Sequence, residues 1–234
     1  MRRSSRARIG ATATMSVLSL ALITTAAAKA LSAAELEKLL LAKGDVTGYE
    51  AADGDDTLPK AKGEVKTDKA DCAPPAHAMA GLAPGDTDAG ASNTLTKSPT
   101  ATPSSEEEAV LDVEMTFVGL SSYDGDGDGA EKAVKAVADG IAACSGGFTI
   151  TAQGEKQKIT KVAAGKPSGK GDESVAFSVG SEMDGEGTAT FNTEVVRAGN
   201  TVTSYCTVDF ASLDSGKAAA VPTTLIDAQP AKLK

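Results

Sequence analysis

From Ala109 to Phe210 the apolar residues of this chain fall at every second position in run after run, a period that fits a β-strand with one wet face. Ala109, Leu111, Val113, Met115 and Phe117 alternate with Asp112, Glu114 and Thr116. Further runs cover Phe148–Ala152, Lys156–Val162, Ser174–Ser181, Thr188–Arg197 and Thr201–Phe210. Asp184-Gly185 and Gly199-Asn200 are hairpin turn signals. Strands joined by tight turns pair antiparallel. One segment changes period: Ala130, Ala133, Val134, Val137, Ile141 and Cys144 recur at helical spacing, which predicts a helix over 130–144 lying on the sheet. The expected fold class is α+β, an antiparallel sheet of about six strands flanked by helices.

The first half carries weaker signals. Ser32 and Glu35 form a capping box, Leu36, Leu39 and Leu40 make an apolar stripe, and Gly44 suits a left-handed cap for that helix. A second helix is expected at Cys72–Leu82, with Pro74 and Pro75 in its first turn. Asn93–Thr96 can form a short strand, and residues 97–106, including Pro99–Ser105, read as an exposed loop. Pro222 starts a last helix reaching about Gln229. No second domain boundary and no regular internal repeat are visible, so residues 31–234 are expected to form one domain.

Residues 1–30 read as a signal peptide, with Arg2, Arg3, Arg6 and Arg8, the apolar run Met15–Ile23 and the small-x-small site Ala28-Lys29-Ala30. The alternative is an uncleaved anchor, which the short apolar run disfavours. No cysteine lies beside the cleavage point, so no lipid can be attached there. The expected location is secreted, with retention at the cell surface only through partners. In that compartment two of the three cysteines should pair. Cys206 alternates with Val202, Ser204, Val208 and Phe210 on a strand, whereas Cys72 and Cys144 each sit on or at the end of a short helix. The expected disulfide is Cys72–Cys144, with Cys206 a buried free thiol.

Charge and aromatic content exclude several functions. The chain has 23 Lys+Arg and 32 Asp+Glu; the leader holds five of the bases and none of the acids, which leaves 18 against 32 and a net charge of −14. Such a surface repels phosphate backbones and anionic headgroups. Trp is 0 and aromatics are 3%, so stacking platforms for bases or sugars are missing as well. Nucleic acid is not an expected partner, and a membrane is one only through an uncleaved leader.

Asp124-Gly-Asp126-Gly-Asp128-Gly129 resembles the first half of an EF-hand loop. The twelfth position is Lys135 instead of a bidentate Glu, and Glu131 is the one nearby acid to replace it. The leading interpretation is an acidic turn in which Asp126 or Asp128 caps the following helix. A calcium-dependent structural or adhesion module using Asp124, Asp126 and Asp128 is the alternative. His77, the single histidine, cannot build a His-rich zinc site, and no G-x-S-x-G or S-x-x-K motif accompanies it. A hydrolase of unknown type using His77 or paired acids is a second alternative. Gly165–Gly171 is one residue short of a Walker loop and reads as a hairpin loop. No cofactor and no enzymatic activity are expected.

These elements together resemble the extracellular sensor domain of actinobacterial transmembrane serine/threonine kinases of the PknH type and its freestanding secreted or lipoprotein relatives. The resemblance rests on Leu39-Leu40-Leu41 with Gly44–Tyr49, Cys72-Ala-Pro-Pro with Gly81, Ser122-Tyr123, Ala133–Cys144, Gly171–Ser174, Val196–Gly199, and Gln229 with Lys232-Leu233. It implies a twisted antiparallel sheet with a ligand cleft, no catalysis, and support for the Cys72–Cys144 pairing. Tyr123 and Arg197 match family positions, which makes them candidate cleft residues. The kinase domains carry two disulfides, whereas three cysteines allow one here. The expectation is a secreted, monomeric, sensor-like binding module for a small molecule or cell-envelope fragment.

Overall fold

The alternating runs do become strands, but more of them than the alternation shows. The structure, a computed structural model, describes residues 29–52, 58–97, 113–125, 128–183, 187–210 and 218–233. Its strands are β1 (Tyr49–Ala52), β2 (Val65–Thr67), β3 (Gly90–Lys97), β4 (Glu114–Ser122), β5 (Phe148–Ala152), β6 (Glu155–Ala164), β7 (Glu173–Met183), β8 (Gly187–Ala198) and β9 (Thr201–Asp209). They form one nine-stranded sheet in the order β1-β3-β4-β9-β8-β7-β6-β5-β2. Every pairing is antiparallel.

This corrects the expected α+β sheet of about six strands. Among the described residues the fold is mostly one large sheet with four α-helices, and the extra strands come from the half where alternation is weak. β1 and β2 have 4 and 3 residues and lie at the two edges, where each needs only one neighbour. β3 has the sequence GASNTLTK, which holds one large apolar residue. Its ladder comes from β4, in register from Gly90↔Ser121 to Lys97↔Glu114.

The helices are α1 (Ala33–Leu39), α2 (Ala73–Met79), α3 (Asp128–Ala143) and α4 (Thr223–Lys232). At α1 the Glu35 carboxylate accepts from the Ser32 N–H at 2.8 Å and from the Ser32 hydroxyl at 2.7 Å. Those bonds hold its pKa below the usual carboxylate value. The helix stops earlier than Gly44 suggests. Leu40 is already extended, and Gly44, at φ +91°, serves a later turn in which the Asp45 N–H donates to Ala42 O at 3.1 Å.

Helices cover both faces of the sheet. On one face the α3 stripe of Ala130, Ala133, Val134, Val137 and Ile141 packs with Ala76 and Ala78 of α2 over Phe148, Ile159, Phe177, Val179 and Val195. Cys72 and Cys144 join the start of α2 to the end of α3, with Cα atoms 5.8 Å apart, and Cys206 is free and buried. On the other face Leu36, Leu40 and Leu41 meet Leu225 and Ile226 over Leu95, Val118, Leu120, Val196 and Tyr205. The central strand β9 therefore has no wet face: Thr201, Thr203, Tyr205 and Thr207 are as buried as Val202, Ser204, Cys206 and Val208. Among the described residues no helix is long and apolar enough to cross a membrane. All but the last two residues of the expected leader and most of the expected 97–106 loop lie outside the described residues.

Candidate functional site

The end of α2 decides where one cavity forms. The helix stops at Met79, earlier than its expected end at Leu82, because Gly81 takes φ +68°. The Leu82 N–H then bonds His77 O at 2.9 Å and the Gly81 N–H bonds Ala78 O at 3.3 Å, which is a Schellman cap. The turn lies directly on the sheet. A Cβ on Gly119 of β4 would stand 2.3 Å from Gly81 O, so only glycine permits that approach.

Beyond this turn Leu82 and Ala83 face the Gly90–Ser92 stretch of β3, and the segment 58–62 closes the third side. The register of β1 reaches only Thr94–Lys97 of β3, so among the described residues Gly90–Asn93 has no strand on its outer edge. The space is about 400 Å³, within the usual range for ligand sites. Leu58, Leu82, Ala83 and Ala91 supply apolar surface, and Glu37, Lys60, Lys62, Asp88 and Thr87 supply polar groups. The Lys62 ammonium donates to Gly85 O at 3.0 Å and stands 4.0 Å from an exposed Asp88 oxygen. Such a mixture can ion-pair and hydrogen-bond a small polar ligand while its apolar part lies on the leucines.

Tyr123 lies behind this wall. It is 2% exposed, and its hydroxyl accepts from the Gly85 N–H at 3.1 Å, thereby fixing the carbonyl that Lys62 uses. Burial raises its pKa. Arg197 is elsewhere, its guanidinium 3.4 Å from Asp172 and 3.5 Å from Glu173. Both residues meet the β8–β9 turn: Tyr123 N–H bonds Asn200 O at 3.0 Å, and Arg197 Nη1 lies 3.4 Å from Gly199 O. Neither lines this cavity or the smaller one described below.

Of the acidic turn, Asp124 accepts from the Ala30 N–H at 2.9 Å, Asp128 opens α3, and Asp126 lies outside the described residues. Lys135 pairs with Asp139 on the exposed side of α3 at 2.6 Å. Among the described residues no three potential metal-ligating side chains cluster. His77 sits on α2, half buried. Burial depresses its pKa, and its bonding partners are the backbone at Val65 and Lys62. The Gly165–Gly171 loop connects β6 to β7. Glu37, Leu58, Lys62 and Asp88 were not legible as a site, because they stand in four separate segments without a shared motif.

No family model matches the chain, and no curated protein matches it. Among solved structures it is similar to the extracellular domain of PknH from Mycobacterium tuberculosis, with a TM-score of 0.50 and 15% identity over 87% of this chain and 98% of that one. The likeness is one of fold.

Proposed function

We propose that this chain is a secreted, monomeric, non-enzymatic module that binds a small molecule or cell-envelope fragment in the cavity between the α2 turn, the segment 58–62 and the open edge of β3. The observation that carries the reading is that cavity of about 400 Å³, with apolar walls and a few fixed polar groups, on a sheet covered by helices. The likeness in fold to the extracellular domain of PknH supports a sensor-like role, and the Cys72–Cys144 bond suits an oxidising compartment.

The test is a thermal-shift and calorimetric screen of the purified protein against small sugars, organic acids and a soluble peptidoglycan digest. A binder should raise the midpoint of unfolding by mass action. Ala91→Trp, which fills the cavity, should abolish the shift while the far-ultraviolet spectrum stays unchanged, and Lys62→Ala should weaken it. Equal binding by the Ala91→Trp protein would remove this site from consideration.

A further inference from the structure

A second cavity lies three strands away across the sheet, with a buried carboxylate inside and a lysine at its border. The β6–β7 connection runs as a strap over the α4 face, tied by Gly165 N–H to Ala176 O at 2.7 Å, by the Lys170–Asp227 ion pair at 2.7 Å and by Asp172 N–H to Arg197 O at 2.8 Å. Under it is a space of about 280 Å³ bordered by Lys166, Ser168, Asn192, Glu194, Val221 and Ile226. Glu194 stands in the middle of β8, opposite Tyr205, and is 5% exposed. A carboxylate so far from water requires compensation by donors or a cation. One of its oxygens, Oε1, accepts from the Ser168 N–H at 2.8 Å and from the Ser168 hydroxyl. Among the described residues, Oε2 has no hydrogen-bond donor and no basic partner.

Further acceptors border this space, alongside the hydroxyls of Thr193 and Thr223. The Asn192 amide nitrogen gives one of its two hydrogens to Ala219 O at 2.7 Å, and its oxygen is an acceptor. The Ser168 hydroxyl hydrogen is committed to Glu194. The bordering residues include one cation, Lys166, which is exposed at the mouth. Lys170, the neighbouring base of the strap, is paired with Asp227. A buried anion with free acceptors inside and an ammonium outside is complementary to a ligand that leads with an amine and trails a carboxylate.

We propose that this cavity is a second ligand site, for a free α-amino acid or similarly small zwitterion, whose ammonium binds Glu194 Oε2 and Asn192 Oδ1 and whose carboxylate meets Lys166. The apolar portion would lie against Val221 and Ile226, and the volume, just below the roughly 300 Å³ at which drug-sized pockets begin, restricts the ligand to amino-acid size.

The experiment is isothermal calorimetry of the intact folded protein with each common amino acid, with n-butylamine, with butyrate and with an N-acetylated amino acid. At least one free amino acid should bind, butylamine more weakly, and butyrate and the N-acetyl compound not at all. Glu194→Gln should weaken binding about tenfold or more, and Lys166→Ala by a smaller factor. Ala91→Trp should leave it unchanged, so this result stands or falls independently of the larger cavity. If Glu194→Gln fails to fold, Val221→Trp, which fills the space and keeps the carboxylate, should abolish the signal. Absence of binding by every free amino acid, or binding that survives Glu194→Gln or Val221→Trp, overturns the proposal.

Discussion

Gln229 of α4 holds both sides of the chain around Leu41: its Oε1 accepts from the Leu41 N–H at 3.1 Å, and its Nε2 donates to Leu39 O at 2.6 Å. On the far side, Asn93 of β3 donates to Leu41 O at 2.7 Å. A short extended segment after α1 is thus satisfied by two side-chain amides in place of a neighbouring strand. The contact spans almost the whole described chain, and Lys232 to Asp45 reinforces it.

Gln229→Ala should therefore cost about 2–3 kcal/mol, because it leaves a buried N–H and a carbonyl unpaired as well as losing packing. Urea titration of wild type and variant measures it. An effect below about 0.5 kcal/mol, the size of an ordinary surface change, would show that the clamp does not hold the terminal helices.

Removing the Cys72–Cys144 bond should lower stability by about 4 kcal/mol in the chain-entropy picture, since the two residues are 72 apart in sequence. Cys72→Ser/Cys144→Ser and a reduced wild-type sample should agree. A near-zero difference would mean that the α2–α3 contact holds the helices without the bond.

Gly140 marks where those helices touch. A Cβ there would stand 2.7 Å from Pro75 Cδ and 2.8 Å from Asp71 O. Gly140→Ala gains helix propensity but overpacks this contact, so a net loss of about 1–3 kcal/mol is expected. A stabilised variant in thermal denaturation would contradict the close approach.

Burial pushes the Cys206 thiol up to about 11, from an ordinary 9.0. The folded protein keeps the proton that the unfolded chain releases, so this contribution is complete below pH 9 and declines as pH rises towards 11. Cys206→Ala should flatten that alkaline slope. In the native protein at pH 8, iodoacetamide should label Cys206 only as fast as the chain unfolds.

His77 behaves in the opposite sense. Burial lowers its pKa below the ordinary 6.5, with Lys62 adding to the effect. The unfolded chain takes up a proton first, so stability is complete above pH 6.5 and falls as pH drops below it. His77→Gln should reduce the loss below pH 6.5, read from denaturation midpoints at each pH.

Local pattern was sufficient wherever one strand or helix writes its own period. β5 through β9, α3 and the Ser32–Glu35 cap follow from side-chain spacing, because a strand or helix half sunk in a core must repeat its apolar residues with its own geometry. The two helix-borne cysteines and the strand-borne third were distinguishable for the same reason. Three things were decided only in the folded molecule. The short edge strands β1 and β2 gain their backbone bonds from partners distant in sequence, so nothing within four or three residues announces them. Glu194 and Tyr205 occupy positions that a one-faced sheet would leave wet, and they are buried because α1 and α4 cover the second face. Both cavities are bounded by segments that meet only in space, Lys62 with Gly85 and Ser168 with Glu194, and long-range contact of that kind has no periodic trace in the chain.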